Sequence, residues 1–267
     1  MTPPTTADWR PGTGRPAAAW RSTLAQAAME LRLTARRGEN LLVTLVIPVV
    51  LLLFFGALPI EPAGANPLGL PGPIATLVPG ILALAIISTS LVNLGIATAY
   101  ERSYGVLKRL GGSPLPGAGL IAAKMLAVLV VELLQFALLA EIAAIAFGWA
   151  PGPNAMAPLV LTALLLGTLA FAGLGLFMAG ALRAEATLAG ANGLYLVFLL
   201  LGGIVVPVER LPGLLADLAR LLPAAALSDA LRIGLGGTTG DPTGALAILA
   251  VWGLVAAGLA VRTFRWE

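Results

Sequence analysis

Six apolar runs dominate this sequence, and each is long enough to cross a lipid bilayer as a helix. Inside a bilayer every backbone polar group needs a partner within the protein, so such runs fold as membrane-spanning helices. The composition agrees, with 58% hydrophobic and 11% charged residues. We therefore predict an all-α polytopic membrane protein with six transmembrane helices. The predicted spans are residues 41–58, 74–99, 119–147, 155–182, 187–206 and 244–261.

The chain contains no cysteine and no histidine, which removes thiol chemistry, the usual transition-metal ligands and the commonest general base. The sequence also has neither a phosphate-binding loop nor a nucleophile elbow. We expect no enzyme activity, no metal and no cofactor in this chain. The net charge of +3 comes from basic residues that flank the apolar runs, so we expect no nucleic-acid partner.

The basic residues also predict an orientation. If the six spans are threaded in order, thirteen of the sixteen lysines and arginines fall on the side that holds both termini. The other side carries Arg210, Arg220 and Arg232. The positive-inside rule then places both termini in the cytoplasm.

The two ends of the chain differ from the spans. Residues 1–16 are rich in proline, threonine and glycine and are predicted to form a disordered tail. Residues 17–40 are predicted to form a basic amphipathic helix that lies in the headgroup layer, with Trp20 as an anchor. The alternative is a solvated cytoplasmic helix. Residues 41–261 form the predicted six-span domain, and residues 262–267 a short cytoplasmic tail.

One long polar stretch, Tyr100 to Pro116, separates the second span from the third. Its charged residues have both signs, and residues 101–110 are predicted to form a short amphipathic helix with Val106, Leu107 and Leu110 on one side. Glycine and proline after Leu110 would end this helix. We expect this stretch to face a soluble partner.

The segment between spans five and six is too apolar for a solvated loop. Leucines recur at helical spacing between Pro207, Pro212 and Pro223. We predict two short amphipathic helices that enter the outer leaflet and return, which is tolerated where protein covers the backbone. An ordinary external helical hairpin is the alternative.

Four polar residues inside the spans are candidates for a substrate path, namely Asn93, Glu132, Gln135 and Asn192. Intramembrane carboxylates are costly and point to function, although a structural role in hydrogen bonding between helices is the more frequent one for such residues. Glu132 and Glu141 are nine residues apart and lie on opposite faces of a helix, so they do not form an acid–base pair. A proton-coupled secondary carrier that uses Glu132 or Glu141 is the alternative function. A non-transporting membrane scaffold is a further one.

The loop patterns resemble a known family. Glu-Arg-Ser-Tyr-Gly-Val-Leu-Lys-Arg-Leu at 101–110, followed by Ser113-Pro114-Leu115, resembles the cytoplasmic stretch of type-2 ATP-binding-cassette exporter permeases. Gly202 to Pro207, together with Leu211-Pro212, Pro223 and Asp229-Ala-Leu-Arg232, is similar to the re-entrant region of the same family. The basic N-terminal segment resembles its interfacial entry helix. Within the family, the chain is most similar to the daunorubicin-resistance type.

This resemblance implies an ATP-driven exporter of a hydrophobic drug-like, lipid or lipid-linked glycan substrate. It implies a separate ATPase subunit that binds ATP and Mg, a second permease copy in a homodimer, membrane lipids around both, and a bacterial plasma (inner) membrane. The implied ATPase-coupling helix comprises Glu101, Arg102, Gly105, Leu107, Lys108, Arg109 and Leu110. The implied re-entrant residues are Pro207, Leu211, Pro212, Pro223 and Arg232. Ser103 and Val106 depart from the family pattern, which has a second acid and a threonine there.

Overall fold

The computed structural model describes residues 18–36, 38–58, 74–113, 115–204, 208 and 211–264. The predicted tail at 1–16, the loop at 59–73, Pro207 and the last three residues lie outside the described residues. Every regular element in the described part of the chain is helical. The elements are α1 (Ala19–Arg36), α2 (Gly38–Ala57), α3 (Ile74–Ile87), a π-helical segment (Ser88–Asn93), α4 (Leu94–Ser103), α5 (Val106–Gly111), α6 (Gly117–Phe147), α7 (Ala157–Ala181), α8 (Ala184–Leu201), α9 (Gly213–Arg220), α10 (Pro223–Gly234) and α11 (Thr243–Thr263).

The apolar helices confirm an all-α polytopic membrane protein. Five are long and apolar enough to span a bilayer: the continuous helix Ile74–Ser103, and α6, α7, α8 and α11. A shorter apolar helix, Thr44–Ala57, forms most of α2. The predicted spans match these helices to within a few residues at most ends, because run length and hydrophobicity are local properties of the sequence.

The helix Ile74–Ser103 lies at the centre of the bundle. Every residue from Leu77 to Ile87 is buried, as expected of a helix that is apolar all round. The π-helical segment Ser88–Asn93 interrupts its regular winding without breaking it. Single π-helical turns within α-helices are frequent at functional sites. Here the segment buries Thr89 and Ser90 inside the bundle and leaves Ser88 and Asn93 partly exposed.

Close approach of helices depends on glycine at two positions of α7. A Cβ atom at Gly175 of α7 would lie 2.7 Å from the carbonyl oxygen of Leu91. A Cβ atom at Gly173 would lie 2.8 Å from the backbone nitrogen of Ala257 in α11. The backbones of α7, α11 and the central helix therefore touch, which is the usual role of small residues in membrane bundles.

The prediction of one helix from residue 101 to residue 110 is wrong. The helix of the second span continues to Ser103, and a turn at Tyr104–Gly105 separates it from α5. Gly105 has a φ of 72°, in the left-handed region that side chains disfavour. The span runs on past its apolar residues because Glu101 and Arg102 find partners inside the protein.

Candidate coupling surface and membrane cleft

Glu101 and Arg102 face the protein interior. The Lys124 ammonium of α6 donates a 2.7 Å hydrogen bond to Glu101 Oε2. Arg102 Nη1 donates a 2.6 Å hydrogen bond to the carbonyl oxygen of Gly180, and its Nη2 donates to the carbonyl oxygen of Leu182. Both acceptors belong to the C-terminal end of α7, where a cation is favoured by the helix dipole. These two side chains therefore hold the end of α4 against α6 and α7.

Leu107 anchors the short helix α5. Its side chain is 1% exposed and packs with Leu115 and Leu120 at the start of α6. Leu110 and Phe264 are partly buried against the same cluster. The prediction that one side of this segment is apolar is thus confirmed at Leu107 and Leu110, while Val106 is exposed.

The outer side of this segment carries Tyr104, Val106, Lys108 and Arg109, which are all exposed. We call these four residues the coupling surface. Tyr104 is the most prominent, with 75% of its side chain exposed, and its ring lies 5.9 Å from that of Tyr100. The two cations beside an aromatic ring suit contact with an acidic surface of a soluble protein. Glu101 and Arg102 do not belong to this surface.

Lys124 is buried between two carboxylates from different helices. Its Nζ lies 3.1 Å from Glu30 Oε1 of α1 and 2.7 Å from Glu101 Oε2 of α4, and its side chain is 2% exposed. Neither Lys124 nor Glu30 was singled out from the sequence. A lysine within an apolar run was the available signal, because such a cation needs a carboxylate partner.

A half-open cleft of about 550 Å³ lies between α2, the central helix and α8. It brings together Asn93 and Asn192, two of the predicted path residues. Tyr100 and Tyr195 add aromatic rings, and Tyr104 of the coupling surface reaches the same cleft. The remaining lining residues are Thr44, Ile47, Ser88, Val92, Ile96, Ala97, Glu101 and Val106. An amphiphilic molecule with an apolar body and a few polar groups fits such a lining.

Glu132 and Gln135 do not line this cleft. Both are buried, and they take part in contacts between helices. Thr89 donates a 2.9 Å hydrogen bond to Gln135 Oε1, and Gln135 Nε2 donates to the carbonyl oxygen of Thr44. Glu132 Oε2 meets the Thr168 hydroxyl of α7.

The two intramembrane carboxylates also lie in different environments. Glu141 is exposed on the surface of α6, whereas Glu132 is 1% exposed. The prediction that they are not paired is therefore confirmed by their burial.

The predicted re-entrant residues that the structure describes lie at the end of the bundle opposite to the coupling surface. Pro212 precedes α9, and Pro223 is buried in the first turn of α10. Leu211 packs with a small cluster around Val208. Arg232 Nη2 donates a hydrogen bond to the carbonyl oxygen of Gly203, which joins α10 to the end of α8.

The hairpin of α9 and α10 reaches well into the bundle. Trp252 Nε1 donates a 2.9 Å hydrogen bond to the carbonyl oxygen of Leu221, at the turn between these helices. Trp252 lies nine residues into α11 from Thr243, which is about 14 Å along the helix. Ala216 and Ala219 face the protein, while Leu214, Leu218 and Leu221 are exposed. That a lipid leaflet surrounds this hairpin stays a prediction.

Comparison with known proteins places this architecture in a family. A family model described as ABC-2 type transporter matches residues 22–235, which include most of α1, the coupling surface, the cleft and the α9–α10 hairpin. No curated protein sequence matches the chain.

Proposed function

This chain belongs to the ABC-2 type transporter family as the membrane permease of an ABC-type transporter, and we propose that it exports a hydrophobic molecule with energy from a separate ATPase subunit. The observation that carries the proposal is the coupling surface, an exposed basic and aromatic turn that is fastened to three long helices. An ABC ATPase is the partner that this family implies in general. That subunit binds the ATP and Mg.

The contacts behind the coupling surface would transmit a movement of the ATPase subunit to the helices of the bundle. Glu101 ties the turn to α6, Arg102 ties it to the end of α7, and Leu107 packs it onto the start of α6. A push on the surface therefore moves packed helices as rigid bodies instead of bending a loop. Closure of the ATPase pair would then bias the permease between inward-open and outward-open states.

The cleft is the proposed path for the substrate. Asn93 and Asn192 supply polar groups and the tyrosines supply aromatic surface, next to the turn that the ATPase would move. This lining supports a hydrophobic drug-like, lipid or lipid-linked glycan substrate. The daunorubicin-resistance type remains the prediction within the family.

A second copy of the chain is proposed to close the cleft. The helices that border it expose apolar side chains on the outside, with Val46, Val50 and Phe54 on α2 and Leu196 and Leu200 on α8. A homodimer would bury these residues and enclose the cleft between two permeases. The positive-inside rule supports a cytoplasmic coupling surface, and the resemblance to exporter permeases implies a bacterial plasma membrane.

The proton-coupled carrier is less well supported. Neither Glu132 nor Glu141 lines the cleft, and the two carboxylates are separated by burial and by helix face. A titrating group on a transport path would have to meet the substrate or water from that path.

The test is co-purification of the tagged permease with its candidate ATPase from membranes. Tyr104→Ala/Arg109→Glu should lose the ATPase while the permease keeps its wild-type melting temperature. The matched control is Arg183→Glu, which makes the same charge change at an exposed arginine on the same end of the bundle. Loss of the ATPase in the control alone would move docking to the α7–α8 turn. Absence of any ATPase from the wild-type preparation would overturn the exporter assignment.

A further inference from the structure

Lys124 forms a three-way ion cluster with Glu30 and Glu101, which we call the Lys124 cluster. A cation that is 98% buried needs compensating charge, because removing it from water costs several kcal/mol. The two carboxylates keep some contact with solvent, with 13% and 15% of their side chains exposed. The cluster therefore connects the interior of the bundle to its surface.

Each member comes from a different helix. Glu30 lies on α1, Lys124 on α6, and Glu101 on α4, three residues before Tyr104 of the coupling surface. Helix α1 otherwise buries only Ala27 and exposes Trp20, Leu24 and Met29. The ion pair to Glu30 is thus one attachment of α1 to α6, beside the packing around Ala27, and the pair to Glu101 fixes the base of the coupling turn.

The cluster has two acids and one base, so one ion pair can break while the other remains. Two carboxylates share one ammonium, so either acid can move away while Lys124 keeps the other. Breaking one link therefore does not leave an isolated buried cation, which would be the costly outcome.

The cluster also shares a wall with the cleft. A cavity of about 70 Å³ beside Lys124 and the larger cleft are both lined by Asn93, Ala97 and Glu101. These residues recur at intervals of four on one side of the central helix. A molecule in the cleft therefore contacts the same stretch of helix that Lys124 holds from the other side.

We propose that Lys124 is a positioning residue for transport, which clamps α1 and the end of α4 onto α6 and so presents the coupling turn in one fixed orientation. The proposal rests on the proposed function for its role in transport, but the clamp is a property of the permease alone. Glu30 on α1 and Glu101 on α4 are its two attachment points.

The experiment compares three forms of the full chain in lipid nanodiscs by hydrogen–deuterium exchange. The neutral form carries Lys124→Met, Glu30→Gln and Glu101→Gln, which removes all three charges and leaves no unpaired ion to unfold the bundle. The swapped form carries Lys124→Glu with Glu30→Lys and Glu101→Lys, which reverses all three charges and keeps both ion pairs. A matched control, Asp217→Asn/Arg220→Gln, removes an exposed ion pair at the other end.

In the neutral form, amides of 19–36 and 104–113 should exchange at least tenfold faster than in wild type, with α7 and α11 unchanged. The swapped form should restore the slow exchange, and the control should match wild type. Wild-type protection of both segments in the neutral form would overturn the clamp. So would faster exchange in the swapped form as large as that in the neutral form.

The same three forms separate the clamp from the proposed function. With the ATPase added, stimulation of ATP hydrolysis by the permease should fall at least tenfold in the neutral form and return in the swapped form. Wild-type stimulation in the neutral form would overturn the role of Lys124 and leave the exporter assignment intact. If the exchange results are as expected but even the wild-type permease does not stimulate ATP hydrolysis, the exporter assignment would be contradicted and the clamp would still be supported.

Discussion

Arg102 Nη1 donates a 2.6 Å hydrogen bond to the carbonyl oxygen of Gly180, 78 residues further along the chain. The same guanidinium reaches the carbonyl oxygen of Leu182. One side chain thus closes the C-terminal end of α7 and fixes the end of α4 beside it.

We expect Arg102→Ala to lower the free energy of unfolding by about 2 kcal/mol, as for hydrogen bonds from a charged donor. Arg102→Lys should recover only part of this, because an ammonium has one nitrogen where the planar guanidinium places two nitrogens opposite two carbonyls. Thermal unfolding of the detergent-solubilised chain measures both. Arg183→Ala, at an exposed arginine in the adjoining turn, serves as the control. Equal losses for Arg102→Ala and Arg183→Ala would contradict the structural role of the hydrogen bonds.

Gly175→Ala should disrupt packing at the π-helical segment. The new methyl group would lie 2.7 Å from the carbonyl oxygen of Leu91 and 3.0 Å from that of Ser90, and backbone atoms cannot move aside cheaply. We expect a loss of stability of about 1–3 kcal/mol, as for overpacked cores. Gly193→Ala is the matched change, because no atom lies within 4 Å of a Cβ there. It should be neutral or slightly stabilising, since alanine is the better helix former. A stable Gly175→Ala variant with an unchanged melting temperature would show that the helices are less tightly packed.

Gly105→Ala should strain the turn that presents the coupling surface. The φ of 72° costs a side-chain-bearing residue about 1–2 kcal/mol. Because no atom lies within 4 Å of the added Cβ, the cost is purely conformational, and Gly105→Asn should be milder. Gly112→Ala, at a φ of −76°, is the control. ATPase retention on affinity beads and the melting temperature would both be measured. Identical results for Gly105→Ala and Gly112→Ala would rule out a requirement for the left-handed turn.

Glu132→Gln should leave folding and transport close to wild type. The Thr168 hydroxyl has one proton and lies 2.8 Å from the carbonyl oxygen of Leu164 as well as next to Glu132 Oε2. A neutral amide at position 132 can donate to that hydroxyl, whereas Glu132→Leu removes the polar contact and should cost about 1 kcal/mol or more. The measurement is transport of a lipophilic fluorescent dye between pH 6 and pH 8. Loss of the pH dependence of transport in Glu132→Gln would favour the proton-coupled carrier over the proposed exporter.

Some of the candidate site could be predicted from the sequence. The residues of the coupling segment were identified, and Leu107 is buried as its position on an amphipathic pattern indicates. Which of these residues face the protein interior and which face outward could not be predicted. Glu101 and Arg102 looked like surface charges because their neighbours in sequence are polar, and their partners Lys124 and Gly180 lie far along the chain.

The sequence by itself determined the class of the fold and the positions of most helices. A long apolar run must become a helix in a bilayer because its backbone has no other hydrogen-bond partners, and this requirement acts within each run. Glycine at 105 is a local signal of the break in this segment, although the prediction of one helix over 101–110 did not use it.

Only the tertiary structure decided which polar groups meet. Asn93 and Asn192 share a cleft, Glu132 turns away from it to Thr168, and Lys124 gathers carboxylates from α1 and α4. Each of these contacts joins helices distant in sequence. Their pairing depends on how the helices rotate and cross. Glycines such as Gly175 set this geometry through close packing, and no single apolar run encodes it.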